Sequence, residues 1–226
     1  TTDNLSISYT TNDNDGDAVT AITDWRLNST SIAVVNMPFD TNVSGNGGVV
    51  RDYSLNENNG SLDDSAGTGA PAWRSSCAVG GCYNFSADEG DFVGVNGWQP
   101  PTTTSFSAFA WVYPVSYGAT SSEMTILSSD DSAEWELQLE SNDEVALKSS
   151  GCLVESSGAN IPLNQWSLVG FTFDDNNVTL YHNDSVVHTV QSTCTVSHNS
   201  WFYVGARQGT SLFFNGSIDE VLVFNR

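Results

Sequence analysis

The sequence predicts an all-β protein built as an antiparallel sandwich, and three observations support this prediction. No segment has the sustained periodicity of an amphipathic helix. The chain contains 19 Gly with many Ser, Thr, Asn and Asp, which are the residues that end short strands in turns. The final segment, Phe213 to Arg226, has an Asn-Gly turn followed by a β-branched and aromatic run too short for a helix. We expect this segment to close a sheet.

Several motifs occur in order along the chain: Val50 to Ser54 with Asn58 to Leu62, Gly80 to Phe85 with Asp91 to Val95, Phe106 to Pro114, Gln165 to Gly170 with Val178 to Tyr181, and Phe214 to Arg226. Together they resemble the laminin-G-like jelly rolls of the concanavalin A-like lectin and glucanase group. The resemblance covers roughly residues 35–226 and implies an antiparallel jelly-roll β-sandwich. About 190 residues is ample for the buried core of such a domain.

Residues 1–36 precede the jelly-roll domain, which we assign to residues 37–226. Ile7 and Tyr9, and then Val19, Ile22 and Trp25, predict short strands that resemble the first half of an immunoglobulin-like or PKD-like surface repeat. Two or three strands cannot bury a core of their own. The segment therefore packs either on its own jelly roll or on a neighbouring subunit, where strand addition would build a polymer.

The formal charge of −21 reflects a shortage of basic residues, since Lys148 is the only lysine and there are five arginines. Such a surface repels nucleic acid and anionic lipid and attracts cations. No apolar stretch reaches the length of a membrane span. We expect no nucleic acid partner and no membrane insertion. The absence of a signal peptide and of an initiator Met is typical of a mature product or an excised segment.

The four cysteines, Cys77, Cys82, Cys152 and Cys194, predict two disulfides and an oxidising compartment, outside the cell or at its surface. Three connectivities are possible, and Cys77 with Cys82 is the first choice. A zinc site is the alternative, but it lacks the Cys-x-x-Cys spacing and suitably placed histidines.

Eight N-glycosylation sequons occur in the chain and predict glycans on the surface of a secreted protein. Seven of them are predicted sites: Asn4, Asn28, Asn42, Asn59, Asn177, Asn183 and Asn215. The eighth, at Asn84, lies within a predicted strand and could carry a glycan only if that face of the strand is open.

A calcium site is implied by the resemblance. Several relatives hold a structural calcium where the first strand meets the last, and Asp40 and Asp219 occupy those positions here. We expect Phe39 and Asp40 to begin the first strand. The alternative is that Asp219 only caps or pairs at a strand edge.

The segment Glu134 to Glu140 is the one place where glycosidase carboxylates could lie. On a strand, Glu134 and Glu136 are roughly 7 Å apart, whereas Glu136 and Glu140 are roughly 13 Å apart, too far for a catalytic pair. Strand alternation explains the run more simply, with Trp135, Leu137 and Leu139 facing the core and Glu134, Glu136, Gln138 and Glu140 facing water. We expect no catalytic residues.

Two tryptophans are interpreted as structural. Trp98 is expected to plug one end of the sandwich, and Trp111 is expected to lie in the core. We therefore expect a non-catalytic extracellular module that binds a glycan or a surface protein and uses calcium for rigidity. The alternatives are a structural subunit of a filament or surface layer, assembled through residues 1–36, and, third, a glycoside hydrolase.

Overall fold

A computed structural model describes residues 6–16, 19–64, 67, 69–98, 100–101, 105–117, 123–129, 134–149, 152–175, 177–191, 196–198 and 200–225. These residues form eighteen β-strands and no α-helix. No helix in the described part of the chain could therefore cross a membrane. The strands are β1 (Arg26–Leu27), β2 (Thr30–Ser31), β3 (Ala33–Met37), β4 (Val49–Val50), β5 (Gly60–Asp64), β6 (Ala72–Arg74), β7 (Cys82–Phe85), β8 (Asp91–Asn96), β9 (Phe106–Pro114), β10 (Met124–Ser129), β11 (Trp135–Leu139), β12 (Glu144–Ser149), β13 (Cys152–Asn160), β14 (Ser167–Asp174), β15 (Asn177–His182), β16 (Ser185–Gln191), β17 (Trp201–Val204) and β18 (Gly216–Phe224).

Two antiparallel sheets of eight strands form the sandwich, which confirms the predicted jelly-roll fold class. The first sheet has the order β13-β12-β11-β10-β17-β8-β5-β4. The second sheet has the order β16-β15-β14-β9-β18-β7-β6, with β3 also paired to β18. The pairing of β3 with β18 places the first strand of the sandwich beside the last, as the resemblance implies.

The core lies between the two sheets. Trp135, on the first sheet, contacts Phe106 and Phe171 on the second sheet, with ring centroids 5.4 Å apart in each case. The Nε1–H group of Trp135 donates a hydrogen bond of 3.1 Å to Nδ1 of His198. Burial lowers the pKa of His198 to about 4, so this imidazole is neutral at physiological pH and can accept that bond.

The N-terminal segment differs from its prediction. Among residues 6–16 and 19–32 the only strands are those of the short β1–β2 hairpin, which forms a sheet of its own. Ile7 and Tyr9 lie outside any strand and are 56% and 57% exposed. The next strand, β3, spans residues 33–37 and so crosses the expected boundary at residue 36, ending before Phe39 and Asp40 rather than beginning there. A single two-stranded hairpin buries too little apolar surface to form a core of its own.

Candidate functional site

Two consecutive acidic residues, Asp219 and Glu220, lie where β18 changes its neighbour. On one flank β18 pairs first with β7, up to Ile218, and then with β3, from Val221 onward. Its ladder with β9 has a bulge after Asp219, where Glu220 adopts a φ of 48°. Because the bulge shifts the alternation by one residue, Ile218, Val221 and Val223 all reach the core while both acids stay on the outer side.

Asp40 and Asp219 both hold the same short loop, which we call the disulfide loop (residues 77–82). Oδ1 of Asp40 accepts a hydrogen bond of 2.7 Å from the Gly81 amide. Oδ2 of Asp219 accepts one of 2.9 Å from the Val79 amide. Gly80 has a φ of +60°, and a Cβ there would lie 1.9 Å from Oδ1 of Asp40. The two aspartates predicted from the sequence therefore bind the same loop in the structure.

A disulfide between Cys77 and Cys82 closes this loop, and it is the bridge that the sequence favoured. Its Cα atoms are 5.8 Å apart. Cys194 and the side chain of Cys152 lie outside the described residues, so the second predicted bridge remains a prediction.

In the cluster of Asp40, Asp219 and Glu220, burial and neighbouring negative charges raise the pKa of Asp219 and Glu220. Burial, together with the charges of Glu220 and Asp40, raises the pKa of Asp219 to about 7. Burial and the charge of Asp40 likewise raise the pKa of Glu220 to about 7. Within the described residues, none of these three carboxylates forms an ion pair with a basic side chain. Near neutral pH, the binding of protons or of a cation would therefore relieve the repulsion among these three carboxylates.

The donor chemistry of Asp40, Asp219 and Glu220 fits a hard cation, because Ca²⁺ is bound in proteins by carboxylate and carbonyl oxygens. In the described part of the chain, however, no three Asp, Glu, His or Cys side chains stand close enough together to hold a metal ion as they are placed. The calcium site accordingly stays a prediction, with the same two aspartates as its candidates and Glu220 added to them.

The predicted glutamate segment lies on β11, and its core face is as expected, with Trp135, Leu137 and Leu139 at most 1% exposed. The expectation that the other face meets water is wrong, since Glu136, Gln138 and Glu140 are only 5%, 0% and 8% exposed. Strand alternation gives the side on which a residue lies, but it does not tell what covers that side.

The cover over Glu136 includes the loop of residues 205–212. Arg207, in this loop, donates from Nε to both carboxylate oxygens of Glu136 at 2.8 Å. The Ser128 hydroxyl, in turn, donates a hydrogen bond of 2.9 Å to the Ala206 carbonyl and fastens the loop to β10. Glu136 is therefore the ion-pair partner of the half-buried Arg207.

A cleft of about 320 Å³ opens on the outer face of the second sheet, and we call it the aromatic cleft. The rings of Tyr113 and Trp166 are half-buried there, with centroids 5.5 Å apart and planes inclined by 58°. Ser217 pairs with Tyr113 in the β18–β9 ladder, which places its hydroxyl beside the rings. The cleft is lined by Arg74, Ser76, Cys77, Cys82, Tyr113, Trp166 and Ser217.

We did not predict the aromatic cleft from the sequence, although one sequence pattern points to it. Along β9, Ala108, Ala110 and Val112 face the core, so the larger Trp111 and Tyr113 face outward. Trp111 is thus half-buried on the outer face, and its assignment to the core is wrong.

Trp98 is buried, as predicted for a residue that closes one end of the sandwich. It is 3% exposed and stacks on Phe202, with centroids 5.0 Å apart. This tryptophan is therefore not available to a ligand.

The predicted glycosylation sites are mostly at the surface. Asn28, Asn42, Asn59, Asn177 and Asn183 are exposed, and Asn215 is half-buried. Asn84 is half-buried, and its Oδ1 accepts a hydrogen bond of 3.3 Å from Ser217 at the cleft. Asn4 lies outside the described residues.

The chain belongs to the concanavalin A-like lectin/glucanases superfamily, whose laminin-G-type family model matches residues 87–226, more than half of the sequence. No curated protein matches the chain.

Solved structures with the same fold share less than a fifth of its residues. Domain 4 of AbnA, an extracellular arabinanase of Geobacillus stearothermophilus solved with arabinotriose, matches with a TM-score of 0.65 and 18% identity, over 85% of this chain and 91% of that one. The binding domain of botulinum neurotoxin DC, solved with rat synaptotagmin II, matches with a TM-score of 0.62 and 14% identity, over 86% and 48%. A botulinum neurotoxin type C structure that concerns interaction with two ganglioside molecules matches with a TM-score of 0.57 and 14% identity, over 84% and 49%. The chain thus spans about half of the toxin chains.

Proposed function

We propose that this protein is a non-catalytic, extracellular glycan-binding module and that the aromatic cleft is its binding site. The observation that carries the proposal is the inclined ring pair of Tyr113 and Trp166 beside hydroxyl and guanidinium donors. Aromatic faces pack against the apolar C–H side of a sugar ring, while polar groups at the rim bind its hydroxyls. A volume of about 320 Å³ suits a small ligand better than a protein surface. The arabinotriose and ganglioside named for two of the similar structures are also carbohydrates or carry them.

Hydrolysis is disfavoured by the arrangement of the glutamates. A retaining glycosidase needs two carboxyl groups about 5 Å apart, one of which is free to attack the sugar. Here Glu136 is buried and held by Arg207 through both of its oxygens. This segment therefore fits a protein that binds a glycan without hydrolysing it better than it fits a glycosidase.

In this proposal calcium is a structural partner of the module. Asp40, Asp219 and Glu220 would hold the ion, and its charge would offset their mutual repulsion. The same two aspartates already bind amides of the disulfide loop. Cys77 and Cys82 line the aromatic cleft. Calcium would thus stiffen one wall of the glycan site.

An extracellular location is supported by the disulfide and by five exposed sequons. Both are features of proteins that fold in an oxidising compartment.

Isothermal titration against arabinotriose, xylotriose and cellotriose, in calcium and in metal-free buffer, tests glycan binding. At least one of these sugars should bind, and Trp166→Ala should weaken it about tenfold or more, because stacking on the ring is lost. Trp201→Ala is the matched control, since Trp201 is also half-buried but lies on the first sheet. Binding that survives Trp166→Ala unchanged would place the site elsewhere. Silence toward all three neutral sugars, and toward the acidic ones used below, would refute glycan binding.

A structural filament subunit is the second candidate, and one observation favours it. Apolar side chains in the N-terminal segment stay exposed, with Ile7 at 56%, Val19 at 49% and Leu27 at 67%. A neighbouring subunit could cover them. Sedimentation of the full chain and of a chain lacking residues 1–31 decides between the candidates. Concentration-dependent assembly that needs the segment supports the filament, and two monomeric proteins contradict it.

A further inference from the structure

The arginine of the aromatic cleft differs from the other described arginines. Arg74 forms no ion pair with a described residue. The other described arginines are engaged: Arg26 by Asp24 at 2.7 Å, Arg207 by Glu136 at 2.8 Å, and Arg51 over the ring of Tyr53 at 4.9 Å. In a chain with 27 acidic and 6 basic residues, a guanidinium that lines a cleft and pairs with no carboxylate of the described residues is available for an external anion.

The position of Arg74 is set by the sheet. Arg74 pairs with Cys82 in the β6–β7 ladder, next to the bridge that closes the disulfide loop. Its neighbour Trp73 packs against the core and donates from Nε1 to the Phe39 carbonyl at 2.9 Å. Alternation along the strand therefore directs Arg74 to the outer face, where it lines the cleft with Tyr113 and Trp166.

We propose that the aromatic cleft selects sugars that carry a carboxylate and that Arg74 recognises this group. This inference rests on the proposed glycan binding and adds the class of ligand. The planar guanidinium matches a carboxylate through two parallel hydrogen bonds. The rings of Tyr113 and Trp166 hold the pyranose, and the hydroxyl of Ser217 is placed for the hydroxyls of the sugar.

The net charge limits the ligand to one with few charges. At −21 the protein repels polyanions, whereas a single carboxylate within contact distance of Arg74 gains more from the direct bond than it loses to screened distant charges. Hexuronic acids and sialic acids both carry one carboxylate per sugar, so both are tested.

The experiment compares each acidic sugar with a form in which the carboxylate is neutralised as a methyl ester. Trigalacturonate and its fully methyl-esterified form, and sialyllactose and its methyl ester, are titrated calorimetrically at 150 mM salt with the full chain produced without N-glycans, so that Asn84 is bare. The acid should bind about tenfold or more tightly than its neutral counterpart in at least one pair, because a hydrogen bond between charged groups is lost in the neutral form.

Substitutions then assign the preference to Arg74. Arg74→Gln should abolish the preference for the acid, and Arg74→Lys should restore this preference in part, because the charge remains without the planar pair of donors. Arg26→Gln is the matched control, since Arg26 lies outside the cleft. Thermal unfolding verifies that each variant is folded.

The outcomes separate this inference from the proposed function. Equal binding of acid and neutral sugar, or a preference that survives Arg74→Gln, overturns the role of Arg74 and leaves glycan binding standing. Binding of neither form, together with none of the neutral trisaccharides above, overturns both. A preference confined to sialyllactose or to trigalacturonate identifies the source of the carboxylate.

Discussion

In the absence of calcium, Asp219 should destabilise this protein progressively as pH rises from about 4 to about 7. Asp219 has an ordinary pKa of 3.8, which applies to the unfolded chain, and burial raises its pKa to about 7 in the folded protein. Between these values the folded state holds a proton that the unfolded state has released, so the contribution of Asp219 to the free energy of unfolding decreases with rising pH. The lowered pKa of His198 has the opposite effect between about pH 4 and pH 6.5, so the contribution of Asp219 is measured as the difference between the wild-type chain and Asp219→Asn.

The size of the effect follows from the pKa of Asp219, which is fully buried. At about 1.4 kcal/mol per pH unit, the interval from 3.8 to about 7 corresponds to about 4 kcal/mol. Most of it falls between pH 5 and pH 8, and for a chain of 226 residues we expect the Tm of the wild-type chain to drop by roughly 5 to 10 °C relative to that of Asp219→Asn. Glu220 changes in the same direction but is partly exposed, so it is not added to this figure.

Calcium should offset the effect of Asp219. At the proposed site the ion would bind the charged carboxylates, so its stabilisation should grow as Asp219 and Glu220 lose their protons. Scanning calorimetry at pH 5, 6, 7 and 8, in metal-free buffer and with millimolar Ca²⁺, measures both effects. Asp219→Asn should remove both the loss of stability that Asp219 causes at higher pH and the calcium effect, whereas Asp184→Asn, at an exposed turn, should do neither. A metal-free difference in Tm between the wild-type chain and Asp219→Asn that is constant from pH 5 to pH 8 refutes the raised pKa of Asp219, and a difference that calcium leaves unchanged refutes the calcium site.

Three further predictions concern stability. Arg207→Ala should lower the free energy of unfolding by about 3 kcal/mol or more in urea titrations, because Glu136 keeps its buried charge without a partner, while Glu136→Gln with Arg207→Met should recover much of that loss. Gly170→Ala should destabilise by about 1 to 3 kcal/mol, because a Cβ there would lie 2.2 Å from the Phe109 ring; an unchanged urea midpoint would contradict the packing of this outer face. Cys77→Ser with Cys82→Ser should lose about 2 kcal/mol of stability, as expected for a short closed loop, and should weaken calcium binding measured by titration calorimetry.

Much of the second sheet could be predicted from the sequence, because its strands carry local signals. The closing motif predicted β18 and, through the resemblance, its pairing with the first strand. The resemblance also singled out Asp40 and Asp219, which bind amides of the same loop in the structure. These features depend on short motifs that occur along this chain in the same order as in the family that it resembles.

Features that depend on contacts between distant segments were not predictable in this way. The bulge that turns Glu220 to the same side as Asp219 leaves no pattern in a run of mostly apolar residues. Glu136 is buried by Arg207, 71 positions further along the chain. The aromatic cleft is assembled from four separate segments, contributing Arg74, Tyr113, Trp166 and Ser217, and only the strand order of the sheet makes them neighbours.

The disulfide loop contacts both proposed sites. Asp40 and Asp219 bind its amides, while Cys77 and Cys82 line the aromatic cleft. If calcium and a glycan bind at these two sites, the loop could couple their binding. By reciprocity, whatever factor calcium then adds to the affinity for a glycan, the glycan adds to the affinity for calcium.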